Sequence, residues 1–107
     1  MDTASILDLF AAFGPVSVRR MFGGHGIYRD GVMFALEAEG EIYAKADGET
    51  EGAFRAAGSA PFAYDTKDGR HVVMSYWRLP DEALEDPDAL KHWAELALAA
   101  ARRGKKR

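Results

Sequence analysis

The amino-acid sequence predicts an α+β domain in which helices pack on an antiparallel sheet of about six strands. Short apolar runs alternate with two-residue turn signals, Gly23-Gly24 and Asp30-Gly31, which favour β-hairpins because both central residues need positive φ angles. Near both ends of the chain, apolar residues recur instead at helical spacings. A length of 107 residues suffices for one hydrophobic core, so the predicted order α-β-β-β-β-α-β-β-α describes a single domain.

The first helix is predicted from a capping residue, a stop signal and an apolar stripe. Asp2 or Thr3 can accept a hydrogen bond from a free N–H group of the first turn. Gly14 suits the left-handed position after a helix, and Pro15 prevents the helix from continuing. The stripe between these signals consists of Ile6, Leu9, Phe10 and Phe13.

Four strands and a short helix should follow. The strands are predicted at 16–22, 26–29, 32–37 and Glu41–Lys45. Asp47 is the expected cap of the second helix, and Phe54 is its only large apolar anchor. Because a single anchor holds a helix weakly, we expect this helix to lie at the periphery of the domain.

A second hairpin completes the predicted sheet. Its strands are Pro61–Asp65 and His71–Arg78, and the polar residues 66–70 connect them. A short turn is expected at 79–84, since Pro80 stops the strand.

The last helix should begin at Asp86-Pro87, an acidic cap followed by proline at the first helical position, where no N–H group is needed. It is predicted to reach about Arg103. The domain then spans residues 1–103, and 104–107 form a basic C-terminal tail. The apolar face of this helix consists of Leu90, Trp93, Leu96, Ala97 and Ala100.

The net charge of −3 conceals an uneven distribution. Five of the 14 Lys and Arg residues lie in the last six positions, so residues 1–101 carry nine cations against 17 acids, a net charge of −8. An acidic body repels phosphate backbones, and we therefore expect direct nucleic-acid binding to be weak. The basic tail instead complements the negative end of the last helix.

Three absences in the sequence predict a cytoplasmic location. The chain has no apolar run of about 18 residues, the length a membrane span needs. It begins Met1-Asp2 rather than with the basic and apolar segments of a secretory signal. With no cysteine, it has no disulfide framework.

The sequence contains no motif that points to catalysis, a metal or a cofactor. The cluster Gly23-Gly24-His25-Gly26 lacks the Gly-Lys-Ser/Thr ending of a phosphate loop, and a β pattern follows it, so a tight hairpin with a close backbone approach is the better interpretation. His25, His71 and His92 lack partners at metal-ligand spacing. No serine lies in a nucleophile elbow and no carboxylate pair is typical of acid–base catalysis, so we expect no enzyme.

Arg19 and Arg20 should point to opposite faces of the first strand, so one must meet the helix-packed side of the sheet or its rim. A buried arginine needs a partner, which favours a structural ion pair with an acid from a helix or turn. The alternative is an anion or partner contact beside the Gly-Gly hairpin. The candidate binding residues are Arg19, Arg20, Phe22, Gly23, Gly24, His25, Tyr76 and Trp77.

The sheet is predicted to be apolar on both faces. In the sixth strand Val73 and Trp77 share one face, and Met74 and Tyr76 lie on the other. In the third strand Val32, Phe34 and Leu36 should oppose Met33 and Ala35. Either core packing, the second helix or another protein must cover the second face. Because a small domain leaves much of its surface exposed, we predict a twofold dimer.

Several segments also carry a family resemblance. RRMFGGHGIYRDGVMFAL at 19–36, Ile42-Tyr43-Ala44-Lys45, Pro61-Phe62-Ala63-Tyr64, Met74-Ser75-Tyr76-Trp77-Arg78-Leu79-Pro80, Leu84-Glu85-Asp86-Pro87 and Trp93 resemble the N-terminal domain of the TfoX/Sxy family, from about Ile6 to Arg103. This resemblance implies a secretion-chaperone-like α+β fold and a bacterial regulator linked to DNA-uptake competence. Regulators of this kind resemble a two-domain arrangement in which a helical domain follows the first one. Because this sequence ends at Arg107, we expect a stand-alone copy of the first domain.

Two functions are consistent with these features. The first is a non-catalytic regulatory or adaptor domain that binds protein in competence-linked or transcriptional regulation. The second is a small-ligand module with a pocket between sheet and helices, near Arg19 and His25. A flat aromatic face would favour the first function, and a deep apolar pocket would favour the second.

Overall fold

The computed structural model describes residues 1–21 and 23–105, and it confirms the predicted α+β class. In the described residues, six strands form one antiparallel sheet and four helices pack against it. The elements in chain order are α1 (Thr3–Leu9), β1 (Ser17–Met21), β2 (Gly24–Arg29), β3 (Val32–Ala38), β4 (Glu41–Lys45), α2 (Glu51–Ala56), β5 (Pro61–Asp65), β6 (His71–Arg78), α3 (Asp81–Glu85) and α4 (Pro87–Lys105).

The sheet has the strand order β1-β2-β3-β4-β6-β5. The first four strands form a meander, and the β5–β6 hairpin joins it through β6, which pairs with β4 at Ala44 and Trp77. The two outer strands are therefore β1 and β5. The long-range β4–β6 pairing is the one contact between strands that no hairpin signal could predict.

The turn signals are confirmed in one case and shifted in the other. Asp30 and Gly31 have φ angles of 52° and 79°, as a primed turn requires. Gly24, in contrast, pairs with Met21 and belongs to β2. Of the predicted Gly23-Gly24 turn, only Gly23 lies outside the strands, with a φ angle of 81°.

One side of the sheet carries the hydrophobic core, and its buried residues come from all four helices and from the inner strands. The Asp2 cap is confirmed, because Ser5 N–H donates to Asp2 Oδ1 at 2.8 Å. Ile6 and Phe10 of the predicted stripe are fully buried. Phe10 meets Phe34 of β3 edge-on, with ring centroids 5.6 Å apart.

The last helix begins as predicted, since Asp88 N–H donates to Asp86 Oδ1 at 3.0 Å. It continues to Lys105, two residues beyond the expected end. The predicted tail residues 104 and 105 are thus helical, and 106–107 lie outside the described residues. The helix buries Trp93 against Phe54, with ring centroids 4.7 Å apart.

Two predictions about the short helices are corrected. The second helix has Thr50 as its N-cap rather than Asp47, because the chain makes a turn at 48–50 before becoming helical. Where a turn was expected after β6, the chain instead forms the one-turn helix α3. Glu82 of α3 accepts a hydrogen bond from Trp93 Nε1 at 2.9 Å, which ties this turn to α4.

A β-bulge changes which residues of β3 share a face. Ile27 pairs with Ala35 and Tyr28 with Met33, so Phe34 is an extra residue between the two pairs. Phe34 and Ala35 both enter the core, whereas strict alternation placed them on opposite faces. Leu36 consequently lies on the face away from the core rather than with Phe34, which corrects the predicted pattern.

The end of α4 is attached to loops by ion pairs. Arg103 donates to Asp47 at 2.7 Å and lies 2.9 Å from Glu49 Oε2, and Arg102 lies 3.6 Å from Asp30. The hydrogen bond from Arg103 lowers the pKa of Asp47 from 3.8 to about 2, against the opposing effect of burial. These two basic residues therefore add ion pairs between the end of α4 and two loops of the domain.

We expect Asp47→Asn to lower the free energy of unfolding at pH 7 by on the order of 1 kcal/mol, as for a partly solvated ion pair. Because the Asp47 pKa is depressed in the folded state, its contribution is present above the unfolded value of 3.8 and is lost as the pH falls through about 2. The two proteins should therefore converge between about pH 5 and pH 2 in urea denaturation. A pH-independent difference would contradict this assignment.

Candidate functional site

The face of the sheet opposite the core carries apolar side chains, and no described helix covers it. Residues paired across neighbouring strands share a face, so the register defines its members. We call this surface the open face, formed by Met21, Tyr28, Met33, Leu36, Tyr43, Phe62, Met74 and Tyr76. The expectation that α2 might cover this face is wrong, because Phe54 joins the same core as α1 and α4.

At Gly26, in the middle of β2, three side chains of the open face pack over the backbone. A Cβ atom placed there would lie 2.9 Å from Met21 Sδ and 3.0 Å from both Met33 Sδ and Tyr28 Cε1. Glycine therefore allows two flexible thioethers and an aromatic ring to converge over the backbone. Arg19 places its guanidinium carbon 5.2 Å from the centre of the Tyr28 ring, at one side of this cluster.

A second group of aromatic residues lies across β4, β5 and β6. The rings of Tyr43 and Phe62 are 4.7 Å apart, and Lys45 Nζ lies 5.2 Å from the centre of the Tyr76 ring. Burial raises the pKa of Tyr43 and of Tyr76; the charge of Glu41 adds to the effect at Tyr43. Both phenols therefore remain neutral donors at physiological pH, amphipathic groups of the kind enriched in protein interfaces.

Both predicted arginines are exposed on β1. Among the described residues neither forms an ion pair, so the predicted buried ion pair is absent. The reason is position: β1 is an outer strand, where even the helix-side face meets water at its rim. Arg19 borders the open face, and Arg20 pairs in register with His25 on the other side.

The Gly-rich hairpin brings β2 close to β3. A Cβ atom on Gly24 would lie 2.1 Å from the carbonyl oxygen of Glu37, so the predicted close backbone approach is confirmed at this glycine. Gly23 is exposed, and Phe22 lies outside the described residues.

His25 lies beside a buried carboxylate that the sequence analysis missed. Its Nδ1 is 2.6 Å from Glu37 Oε1, and Gly40 N–H donates to Glu37 Oε2 at 2.9 Å. Although burial opposes ionisation, these two hydrogen bonds lower the pKa of Glu37. An acid in the otherwise apolar run at 32–38 was the signal that could have revealed this pair. The pair tightens the end of the β2–β3 hairpin.

Tyr76 and Trp77 lie on opposite faces of β6, as their alternation predicted. Trp77 is buried in the core, 6.3 Å from the Phe54 ring, with Arg55 stacked over its outer side at 5.2 Å. Of the eight candidate binding residues, the open face therefore contains Tyr76 and has Arg19 at its border. The glycines and His25 instead shape the hairpin next to it.

The sequence that forms this hairpin, bulge and sheet matches the model of a known protein family. The family described as the TfoX N-terminal domain matches residues 8–101 of the 107-residue chain. The chain belongs to this family. No curated protein matches it in a sequence search. Membership supports a regulatory, competence-linked domain.

Two clefts in this TfoX N-terminal domain lie away from the predicted pocket. One, of about 600 Å³, lies between α2 and β6; the other, of about 300 Å³, lies between the 57–59 turn and α3. Neither is lined by Arg19 or His25. His25 and His71 each have their own carboxylate, Glu37 and Asp65 respectively, instead of meeting.

Residues 1–21 and 23–105 of the domain contain no group of three or more side chains arranged to hold a metal ion. They also contain no helix with the length and apolar character that crossing a lipid bilayer requires.

Proposed function

We propose that this TfoX N-terminal domain is a non-catalytic regulatory or adaptor domain that acts by binding protein through the open face. The observation that carries the proposal is a broad sheet surface of Met and aromatic side chains with no helix over it. Antiparallel sheets with one solvated face normally place polar residues there. An apolar solvated face is instead typical of a surface that another molecule covers.

The composition of the open face supports a protein partner. Met, Tyr and Phe are enriched in interface cores, whereas Lys and Glu are depleted there. Here the charged groups Arg19, Glu41 and Arg78 lie around the apolar residues, as in a polar rim. Glu41 and Arg78 form an ion pair at 2.9 Å and are thereby held beside Tyr43. A flat surface with these properties fits a partner protein better than a small ligand, which needs a concave site.

A second copy of the chain is the first partner we propose. Two open faces related by a twofold axis would bury their apolar centres against each other, and twofold dimers are the commonest homo-oligomers. A stable interface of this kind should bury more than about 1,000 Å² in total. Direct binding to nucleic acid is proposed to be weak because residues 1–101 carry a net charge of −8.

Sedimentation at micromolar concentration tests this proposal with Met33→Glu, which places a charge in the cluster of Met21, Met33 and Tyr28 on the open face. The wild type should sediment at twice the chain mass of 11.7 kDa, and the variant at the chain mass. A desolvated, unpaired carboxylate makes the interface unfavourable. The matched control is Leu84→Glu, because Leu84 is an exposed apolar residue of α3, and this variant should remain dimeric.

A wild type that sediments only at the chain mass would contradict the dimer and leave a different protein as the partner. A complementation assay then tests the open face. The gene is deleted in the source organism, each variant is expressed in its place, and competence is measured. Met33→Glu should fail to complement, whereas wild type and Leu84→Glu should succeed. Equal complementation by both variants at equal protein levels would contradict a role for the open face.

A further inference from the structure

Strand β6 extends beyond the end of its neighbour β4. The last register pair is Lys45 with Tyr76, and the last backbone hydrogen bond runs from Ala46 N–H to the Ser75 carbonyl oxygen at 2.8 Å. The chain then turns away into α2. Residues 71–74 of β6 consequently have β5 on one side and no described strand on the other. This free edge is about 13 Å long, enough for four residues of an added strand.

Helix α2 and the helix-side face of β6 enclose a groove that reaches residues 73–75 of this free edge and extends to Ser59, Ala60 and Pro61 at the start of β5. The groove has a volume of about 600 Å³. Glu51 and Arg55 line it from the helix, and Val73, Ser75 and Trp77 line it from the strand. Val73 is 56% exposed, an unusual position for a β-branched residue in the middle of a strand. The groove is on the helix side of the sheet, and Met74 is the one residue of the open face that also lines it.

The outer edges of the sheet are protected against pairing, whereas the β6 edge is not. Proteins commonly protect edge strands with charged residues or proline. Strand β1 carries exposed Arg19 and Arg20, and β5 begins with Pro61, which has no N–H group to donate. After His71, which contacts Asp65 of β5, the free part of β6 consists of Val72, Val73 and Met74, without a charge or a proline. An unprotected strand edge of this kind favours pairing with another strand.

Two cations near this groove have no acidic partner among the described residues. Lys45 Nζ lies 2.5 Å from Ser75 Oγ, and Arg55 stacks over Trp77. Neither lies within 4.0 Å of a carboxylate, whereas Arg78 and Arg103 each contact two. Glu51 is the one acid lining the groove. Because Arg55 lines the groove and Lys45 contacts Ser75, an acidic side chain bound there would have two cations within reach that no described carboxylate already neutralises.

We propose that this groove binds an extended acidic peptide segment of a partner protein, which adds as a strand beside residues 71–74 of β6. The added strand continues the line of β4 and pairs with the free backbone groups of β6. Its apolar side chains contact Val73, and its carboxylates lie near Arg55 or Lys45. The site goes beyond the binding function proposed for the open face and does not depend on it.

NMR titration of the isotopically labelled protein tests the proposal with an alternating valine–glutamate peptide of about eight residues, long enough to span the edge. We expect amide shifts at 71–75 and slower hydrogen exchange at Val73 at peptide concentrations up to about 1 mM. The same peptide with lysine in place of glutamate should bind about tenfold more weakly. Shifts confined to β1 or to the open face would overturn the proposal, as would no shifts at all.

Two charge-reversal variants distinguish peptide binding at this site from non-specific electrostatic attraction. Arg55→Glu should weaken binding of the valine–glutamate peptide about tenfold, because Arg55 lines the groove. Arg20→Glu makes the same change of charge on the β1 edge and should change affinity by less than about twofold. Both side chains are exposed, so both variants should keep the wild-type fold, with spectral changes confined to the substituted residue and its neighbours, including Trp77 for Arg55. Equal effects of the two reversals would overturn the assignment.

Discussion

Replacing Trp93 with alanine should lower the free energy of unfolding by about 3–5 kcal/mol, the range typical of a truncated core aromatic. Trp93 is 5% exposed, and its ring meets Phe54, the only buried residue of α2. Its indole N–H donates to Glu82 of α3. One side chain thus joins three helices, so its removal loosens α2 and α3 from α4. Urea denaturation of the two proteins measures the difference.

Trp93→Phe is the matched control for this prediction. Phenylalanine keeps most of the contact with Phe54 but cannot donate to Glu82, and we expect it to cost about 1–2 kcal/mol. The order wild type, Trp93→Phe, Trp93→Ala should therefore hold at constant pH. A loss below about 1 kcal/mol for alanine would show that Trp93 does not anchor α4 to the other helices.

Gly24→Ala should destabilise the domain by about 2–3 kcal/mol, although it adds a single methyl group. The new Cβ would lie 2.1 Å from the Glu37 carbonyl oxygen, a backbone atom that cannot move without disturbing the β2–β3 register. Because Glu37 also holds His25, the same displacement should weaken their 2.6 Å contact. Thermal unfolding, together with the chemical shifts of the His25 ring, measures both effects.

Gly52→Ala is the control, because nothing lies within 4 Å of a Cβ atom at that position in α2. Alanine favours helix by about 0.5–1 kcal/mol relative to glycine, so this variant should be more stable than wild type. The two alanine substitutions are thus expected to have opposite signs. If Gly24→Ala were neutral, the close approach of β2 to β3 would not exist in solution.

The two binding surfaces proposed for the domain differ in physical character and so can be separated by experiment. The open face is broad and apolar, and its partner would be recognised mainly through buried Met and aromatic side chains. The β6 groove is narrow and offers backbone hydrogen bonds with two cations. Met33→Glu should therefore affect the first surface alone, and Arg55→Glu the second alone. A domain with both surfaces could bring a copy of itself and an acidic segment together.

Local patterns in the sequence were sufficient for the strand and helix types and for the main anchors. Asp30-Gly31, Asp86-Pro87 and the helical spacing of Leu90 and Trp93 each depend on residues close together in the chain. The energy of a primed turn, a cap or an amphipathic stripe is determined by such neighbours. These predictions held, apart from small shifts at the ends of elements and the extra turn of helix at α3.

Features that depend on residues far apart in the sequence could be determined only from the three-dimensional structure. The β4–β6 pairing, the bulge at Phe34 and the Glu37–His25 contact each join residues that no local rule relates. Arg19 and Arg20 were expected to need an ion pair, but whether a strand lies inside or at the edge of a sheet follows from topology. Sequence alternation showed that both faces of the sheet are apolar. In the structure all four helices pack on one side of the sheet, and β4 ends before β6 does. The other face and one edge of β6 are therefore uncovered, because burial depends on which elements pack together in three dimensions.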